Sequence, residues 1–239
     1  MTEPVESMVI TVNHLHQKIA AREILRDLTF DVRRGECLGI FGLRGSGKTS
    51  LLHILAGIDR FSSGMVEILG CSLGGKDSSF MRHVGLVTQF PSLFHDLTVA
   101  ENLDYIALLK GCGTSQIQSL CESLELGPYL REAAVRLEVS VYQRLALACA
   151  LLNQPDILIV DEIIKDIDLA SRQLIVNQLN GYRQAGGTCI WGFSHMYYNK
   201  WVDRVAWLED AQISLYSPQE AVERWQEQVL AFSAGGEEL

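Results

Sequence analysis

A glycine-rich segment that ends in a lysine and a threonine constrains this chain more than any other feature. It follows an apolar run at residues 37–41 and precedes a helical pattern at residues 50–57. The segment reads Gly42-Leu43-Arg44-Gly45-Ser46-Gly47-Lys48-Thr49. A strand, a glycine-rich turn and a helix in this order predict a cradle for phosphate, because glycine lets backbone N–H groups approach an anion that the helix N-terminus also attracts. A turn that merely caps a helix is disfavoured by both flanking elements and by the Lys-Thr ending.

The cradle predicts that the chain binds a nucleoside triphosphate. Lys48 is expected to reach the β- and γ-phosphates, and the Thr49 hydroxyl is expected to hold Mg²⁺. We include the next residue, Ser50, among the expected phosphate contacts.

Composition restricts the classes of partner. The 239-residue chain is 48% hydrophobic and 21% charged, which is typical of a globular protein, and its net charge of −9 argues against a nucleic-acid partner. The acidic residues 1–7 lack the pattern of a signal peptide, and no apolar run approaches the ~18 residues of a membrane span. Any role at a membrane is therefore expected to depend on a partner.

The pattern along the chain predicts an α/β fold. Apolar runs at residues 8–12, 28–32, 84–87, 188–193 and 205–208 predict strands, and a continuous apolar run at residues 157–160 is typical of a parallel sheet. From Thr98 to about Leu152 the pattern is helical, and Thr98 with Glu101 predicts a capping box at its start.

Two carboxylates follow the apolar run at residues 157–160. The carboxyl end of a strand is where an open α/β sheet places its ligands. Asp161 is suited to order Mg²⁺, and Glu162 could polarise a water for attack on the γ-phosphate. An ordinary acidic turn is the alternative, which the presence of a cradle disfavours.

Four further segments complete a resemblance to the ATPase subunit of an ABC transporter along nearly the whole chain. Gln89 resembles the Q-loop glutamine, residues 143–151 resemble the helix behind the signature motif, Asp168 resembles the D-loop aspartate, and His195 resembles the switch histidine. The resemblance implies one domain over residues 1–239, with a P-loop NTPase core and a mostly parallel sheet. It also implies an N-terminal antiparallel β subdomain and an α-helical subdomain inserted at about residues 98–152.

The resemblance also implies the chemistry and the partners. ATP would be hydrolysed with Mg²⁺ held by Thr49, Gln89 and Asp161, while Lys48, Glu162 and His195 act on the γ-phosphate. A transmembrane permease would dock near residues 89–103 and hold the chain at the cytoplasmic face of the membrane. By analogy alone, we expect an exporter.

The chain departs from the family at the signature motif. The family has roughly Leu-Ser-Gly-Gly-Gln, where this chain has Leu137-Glu138-Val139-Ser140-Val141. A carboxylate at Glu138 has the wrong sign beside a phosphate, and β-branching at Val139 and Val141 opposes close backbone approach. Ser140 is too close to Gln143 to substitute for the missing serine by a local shift.

Two smaller departures accompany it. Ile163-Ile164 replaces the family's Pro-Thr, and Ile19 replaces the aromatic residue on which adenine would stack.

In the family, each nucleotide lies between the cradle of one subunit and the signature of the other. We therefore expect a heterodimer with a second, non-identical ATPase, in which one of the two sites is degenerate. The alternatives are a regulatory ATP-binding subunit with little hydrolysis and a soluble ABC ATPase without a transport role.

Overall fold

A computed structural model describes residues 7–75, 77–89 and 91–234 of the chain. The acidic N-terminus discussed above lies outside the described residues, apart from Ser7. The chain forms two compact units, one made of residues 1–75 and 190–239 and the other of residues 76–189. In the described part of the chain, no helix has the length and apolar character needed to cross a membrane.

The described residues form ten strands and six α-helices, together with short 3-10 helices. The strands are β1 (Met8–Ile19), β2 (Arg22–Arg33), β3 (Cys37–Phe41), β4 (Ser63–Ile68), β5 (Cys71–Ser72), β6 (Val84–Val87), β7 (Ile157–Asp161), β8 (Thr188–Phe193), β9 (Arg204–Glu209) and β10 (Gln212–Tyr216). The helices are α1 (Lys48–Leu55), α2 (Val99–Lys110), α3 (Ser115–Ser123), α4 (Val139–Leu151), α5 (Leu169–Gln184) and α6 (Pro218–Ala234).

An antiparallel sheet in the order β2-β1-β4-β5 confirms the predicted N-terminal β subdomain. Its first two strands are longer than the runs at residues 8–12 and 28–32 predicted, since β1 continues to Ile19 and β2 begins at Arg22. The prediction was too short because polar residues alternate irregularly there, and the register shifts at several points along the pair. A turn at Ala20-Ala21 joins the two strands, and Ala20 has a φ of 55°.

The first unit also contains the strand that precedes the cradle. β3 lies between β8 and β9, pairs with β9 in parallel, and has all five residues buried. β9 pairs in turn with β10 in antiparallel fashion. β3 is thus buried on both faces, as is typical of a central parallel strand, and the cradle begins directly after its carboxyl end.

The second unit combines a parallel strand pair with helices. β6 and β7 run parallel, and the helices expected between residues 98 and 152 are present as α2, α3 and α4. The capping box is confirmed: the Thr98 N–H donates to Glu101 Oε2 at 2.8 Å, and the Glu101 N–H donates to Thr98 Oγ1 at 3.2 Å. The Thr98 N–H, and next the Thr98 hydroxyl, which donates to the same Glu101 oxygen at 2.7 Å, lower the pKa of the Glu101 carboxyl. The α/β fold class is thus confirmed.

Asn102, buried in α2, fixes the segment that precedes the helix. Its side-chain oxygen accepts a bond from the Phe94 N–H at 3.0 Å. Its amide group donates to the carbonyl oxygens of Phe94, Leu97 and Thr98 at 3.0, 3.1 and 3.0 Å. One side chain therefore satisfies four backbone groups, and residues 94–98 depend on it for their conformation.

We expect Asn102→Leu to lower the free energy of unfolding by roughly 1–3 kcal/mol, because the Phe94 N–H loses its partner and three carbonyl oxygens each lose one of their two hydrogen bonds. Urea unfolding followed by circular dichroism measures the change. Asp104→Ala, at an exposed position of the same helix, should change it by no more than about 0.5 kcal/mol. Equal effects of the two substitutions would show that Asn102 does not fix the segment.

Candidate functional site: a phosphate cradle and two acidic loops

The loop after β3 turns tightly enough that its first residue has to be glycine. A Cβ on Gly42 would lie 2.5 Å from Ser46 Oγ and 2.7 Å from the Leu208 carbonyl oxygen. The Gly42 N–H donates to the Phe193 carbonyl oxygen at 3.4 Å, and the Ser46 N–H donates to the Leu43 carbonyl oxygen at 3.1 Å. The space that a side chain would fill is therefore occupied by the loop itself.

A second glycine starts the helix. Gly47 precedes α1 with a φ of 105°, and its carbonyl oxygen accepts the first helical bond from the Leu51 N–H at 3.0 Å. A Cβ there would lie 3.0 Å from the Ile24 carbonyl oxygen and 3.2 Å from Ile24 Cγ2. The first turn of α1 carries no acidic residue, so its N-terminus keeps a positive partial charge that favours an anion.

The cradle concentrates polar groups that suit phosphate. Lys48 is only 7% exposed, and its ammonium donates to the carbonyl oxygens of Gly42 at 2.6 Å and Leu43 at 3.3 Å. Ser46 Oγ is buried and makes no hydrogen bond within the described residues. A cation, a buried hydroxyl and a helix N-terminus around a loop that excludes side chains fit a chain of phosphates.

A cavity of about 580 Å³ opens beside the loop. Leu43, Arg44, Gly45 and Ser46 line it from the cradle, and Arg22 and Ile24 line it from β2. Ile19, proposed from the sequence as the base contact, is 54% exposed at the end of β1.

His195 belongs to the same unit as the cradle and follows β8. Its ring is exposed and contacts the Tyr198 ring edge-on, with centroids 6.0 Å apart. Tyr198 stacks in turn on Trp191 and Trp201, and its N–H donates to the His195 carbonyl oxygen at 3.1 Å. This aromatic cluster fixes the backbone that carries the imidazole.

The two predicted carboxylates lie in the second unit. Asp161 ends β7 and is 1% exposed, while Glu162 is buried and has a φ of 52°. The Glu162 carbonyl oxygen accepts a bond from the Lys165 N–H at 3.0 Å, which closes a turn immediately after the strand. Ile163 and Ile164, which stand where the family has Pro-Thr, are both buried and belong to the core of this unit.

Gln89 is exposed two residues after β6, and the segment that follows is held by a residue that the sequence did not indicate. The Tyr142 hydroxyl accepts bonds from the N–H groups of Ser92 at 2.7 Å and Leu93 at 2.8 Å. Nothing in the local pattern around Tyr142 signals this role, because its partners lie about fifty residues earlier in the chain.

The residues that the sequence predicts to be an altered signature motif, 137–141, lie at the start of α4. Glu138 is the N-cap residue but makes no side-chain capping bond, and Val139 is 58% exposed. Val141, by contrast, is 4% exposed. Glu138 and Val139 are therefore exposed at this turn, whereas Val141 belongs to the core of its unit, and their effect on a nucleotide stays a prediction.

Ser140 connects the start of α4 to the acidic loop before α5. Its Oγ accepts a bond from the Asp168 N–H at 3.2 Å. Asp168 caps α5 by accepting a bond from the Ser171 N–H at 2.8 Å. The Ser171 N–H, and next the Ser140 hydroxyl, hold the pKa of the Asp168 carboxyl well below its usual range.

The predicted residues divide between the two units. The cradle, Ile19 and His195 belong to the first unit, and Gln89, Asp161, Glu162, Asp168 and the signature belong to the second. The Thr49 hydroxyl, the Gln89 amide and the Asp161 carboxylate are the hard oxygen donors that Mg²⁺ prefers, so the donor set fits this ion.

The family model described as ABC transporter matches residues 25–165, which is more than half of the chain. Among curated proteins, the chain is 28% identical over 208 residues to the ABC transporter ATP-binding protein YhcH of Bacillus subtilis, covering 86% of this chain and 68% of that protein. It is 30% identical to the Nod factor export ATP-binding protein I of Ralstonia nicotianae, covering 76% of this chain and 58% of that protein. It is 33% identical to the ABC transporter ATP-binding protein YbbA of Escherichia coli K12, covering 78% of this chain and 88% of that protein.

Two solved structures share the fold. The ATP-binding subunit of an ABC transporter superposes with a TM-score of 0.82 at 20% identity, covering 91% of this chain and 93% of that one. The ATP-binding cassette MJ0796, solved as a post-hydrolysis dimer with ADP and Pi, superposes with a TM-score of 0.81 at 21% identity, covering 87% and 98%.

Replacement of Ser140 by alanine should raise the pKa of Asp168 towards its ordinary value, because one of the groups that stabilise the carboxylate is lost. A depressed pKa means that the carboxylate contributes stability above its ordinary pKa of about 4, and that this contribution disappears as the pH falls further. Titration of the Asp168 carboxyl carbon by NMR measures the shift. Ser123→Ala serves as the control in the same unit, and an unchanged pKa in Ser140→Ala would contradict the assignment.

Proposed function

This chain belongs to the ABC transporter family of ATPases, and on that basis we propose that it binds and hydrolyses ATP to energise a membrane transporter. The observation that carries the proposal is the cradle: Gly42 and Gly47 admit no side chain, and Lys48 and Ser46 direct polar groups into the loop. The names of two relatives, the Nod factor export ATP-binding protein I and the probable multidrug ABC transporter ATP-binding protein YbhF of Escherichia coli K12, favour an exporter.

Phosphate binding would use the loop from Gly42 to Ser50. Its N–H groups and the α1 N-terminus would bind phosphate oxygens, and the Lys48 ammonium would exchange the carbonyl oxygens of Gly42 and Leu43 for the β- and γ-phosphates. Mg²⁺, when bound, neutralises charge on the phosphates, and Thr49, Gln89 and Asp161 are the residues that would hold it.

Hydrolysis would depend on two further side chains. Glu162 is buried directly after Asp161, and it would accept the proton of a water that attacks the γ-phosphate. His195 would donate a hydrogen bond to the γ-phosphate from the backbone that the aromatic cluster fixes. In an in-line displacement the water oxygen would bond to the γ-phosphorus while the bond to the β,γ-bridging oxygen breaks, so ADP would be the leaving group and inorganic phosphate the second product.

An exposed apolar surface supports a permease as the partner. Phe94 and Tyr105 are exposed and in edge-to-face contact, with ring centroids 4.8 Å apart, and Leu108 and Leu109 are exposed on the same helix. Because Asn102 and Tyr142 fix the segment that carries Phe94, a permease would meet a preformed surface. Docking there would place the chain at the cytoplasmic face of the membrane.

The start of α4 supports a second, non-identical ATPase as the other partner. Glu138 and Val139 are exposed where the family presents a serine and a glycine to a nucleotide on the opposite subunit. The cradle of this chain would meet an ordinary signature and turn over, while the site built on Glu138 would hold ATP with little hydrolysis. A regulatory subunit that binds ATP without hydrolysis is the second candidate, and the same two residues favour it.

Binding and hydrolysis can be separated by two substitutions in the assembled complex. Lys48→Ala should weaken ATP binding at least about tenfold, because the phosphates lose their buried cation. Glu162→Gln should leave binding intact but slow hydrolysis by about a hundredfold or more, because the general base is lost. Calorimetry and phosphate release measure the two effects, with Lys18→Ala as a surface control. If the complex that carries Glu162→Gln hydrolyses ATP at the full rate, this chain contributes no hydrolysis of its own, which would favour the regulatory subunit.

Partial repair of the signature tests the heterodimer. Glu138→Ser with Val139→Gly restores the two exposed positions, and leaves Ser140 bonded to Asp168 and Val141 in the core. We expect this variant to hydrolyse ATP at least about tenfold faster than the unaltered chain when each is assayed without a second ATPase. If the unaltered chain alone is fully active and the repair adds nothing, the degenerate site is disproved.

A further inference from the structure

The hairpin that carries Ile19 places an arginine directly opposite it. Ile19 and Arg22 are the pair that closes the Ala20-Ala21 turn between β1 and β2. Directly paired residues of antiparallel strands project to the same face, with Cβ atoms about 5 Å apart. The position where the family stacks adenine on an aromatic ring therefore has a guanidinium as its neighbour.

This face of the hairpin meets the cradle. Ile24 lies two residues after Arg22, so its side chain projects to the same face, and its Cγ2 is one of three atoms that would crowd a Cβ on Gly47, at 3.2 Å, with the Ile24 carbonyl oxygen and Leu25 Cδ2 at 3.0 Å. Arg22 and Ile24 line the same 580 Å³ cavity as Leu43 and Ser46. A triphosphate in the cradle would extend its nucleoside along a surface that includes Arg22.

The Arg22 guanidinium has its plane available. Among the residues that the structure describes, it makes no hydrogen bond or ion pair, and its side chain is exposed. Of the other cations near it, Lys18 lies 3.9 Å from Glu23 and Arg26 donates to the Asp210 carbonyl oxygen at 3.1 Å, whereas Arg44 lines the same cavity from the cradle loop rather than from the hairpin. The acidic Glu209 at the cavity is bonded to Arg224 and Gln228.

We propose that Arg22 stacks its guanidinium plane on the base of the bound nucleoside triphosphate and so replaces the aromatic ring that Ile19 lacks. A guanidinium is planar and weakly hydrated, and it stacks on aromatic faces where an ammonium cannot. Every base presents a π-face, so such a contact holds ATP and GTP alike. The inference rests on the proposed function, because it requires that the cradle bind the phosphates.

Calorimetric titration of the full chain with MgATP, MgGTP and magnesium tripolyphosphate tests the contact. Arg22→Ala should weaken ATP and GTP about three- to fivefold, the range of an exposed cation–π contact, while tripolyphosphate affinity changes by less than about twofold. Arg22→Lys should also weaken ATP and GTP, because it keeps the charge but not the plane that stacks on the base, while its ammonium can still recover part of the cation–π attraction. Ile19→Tyr introduced into Arg22→Ala should restore ATP affinity by supplying a ring.

The control is Lys18→Ala, which removes the same charge from the opposite face of the hairpin and should not discriminate between ATP and tripolyphosphate. An equal loss for the two ligands in Arg22→Ala would make Arg22 a phosphate contact and overturn the proposal, as would an unchanged ATP affinity. If the unaltered chain binds neither ATP nor tripolyphosphate, the phosphate cradle itself is disproved, which is a failure of the proposed function and is distinct from a failure at Arg22.

Discussion

The hydrogen bonds from the Lys48 ammonium to the carbonyl oxygens of Gly42 and Leu43 are the interaction on which the candidate site depends. A buried ammonium is tolerated only with such partners, and here the partners are the backbone of the loop itself. The bonds therefore hold the loop in one closed curve, and Gly42 permits that curve because a side chain would collide with Ser46. A phosphate offers the ammonium a better partner than a carbonyl oxygen, so the same charge shapes the loop and attracts the ligand.

Local signals were sufficient for the cradle, the capping box at Thr98 and the strand β8, because each depends on residues that are neighbours in the chain. The sequence did not predict the features that depend on partners far away along the chain. β1 and β2 extend through polar, irregularly paired residues, and β10 is a largely exposed strand with no apolar run to announce it. The bonds of Asn102 and Tyr142 to the segment after Gln89 are tertiary, so no spacing predicts them. How the cradle meets Asp161 and Glu162 stays a prediction from the sequence.

The first turn of α4 is a junction within the second unit. Ser140 bonds the loop that ends at Asp168, and Tyr142, half a turn later, bonds the backbone of Ser92 and Leu93. Both contacts use side chains at or next to the residues predicted to be an altered signature motif. This stretch therefore tethers two neighbouring loops of its unit, in addition to any role at a nucleotide.

The burial of Val141 limits which substitutions the start of α4 can accept without a loss of stability. Substitutions at Glu138 and Val139 lie at the surface and can be reversed at little cost, but a glutamine at position 141 would have to place its amide where only 4% of the residue meets solvent. An unsatisfied buried amide costs about 1–3 kcal/mol, so a full return to the ordinary motif would pass through less stable intermediates unless neighbouring core residues changed first. The residue at position 141 is thus constrained by the packing of its unit, whichever residues occupy the exposed positions 138 and 139.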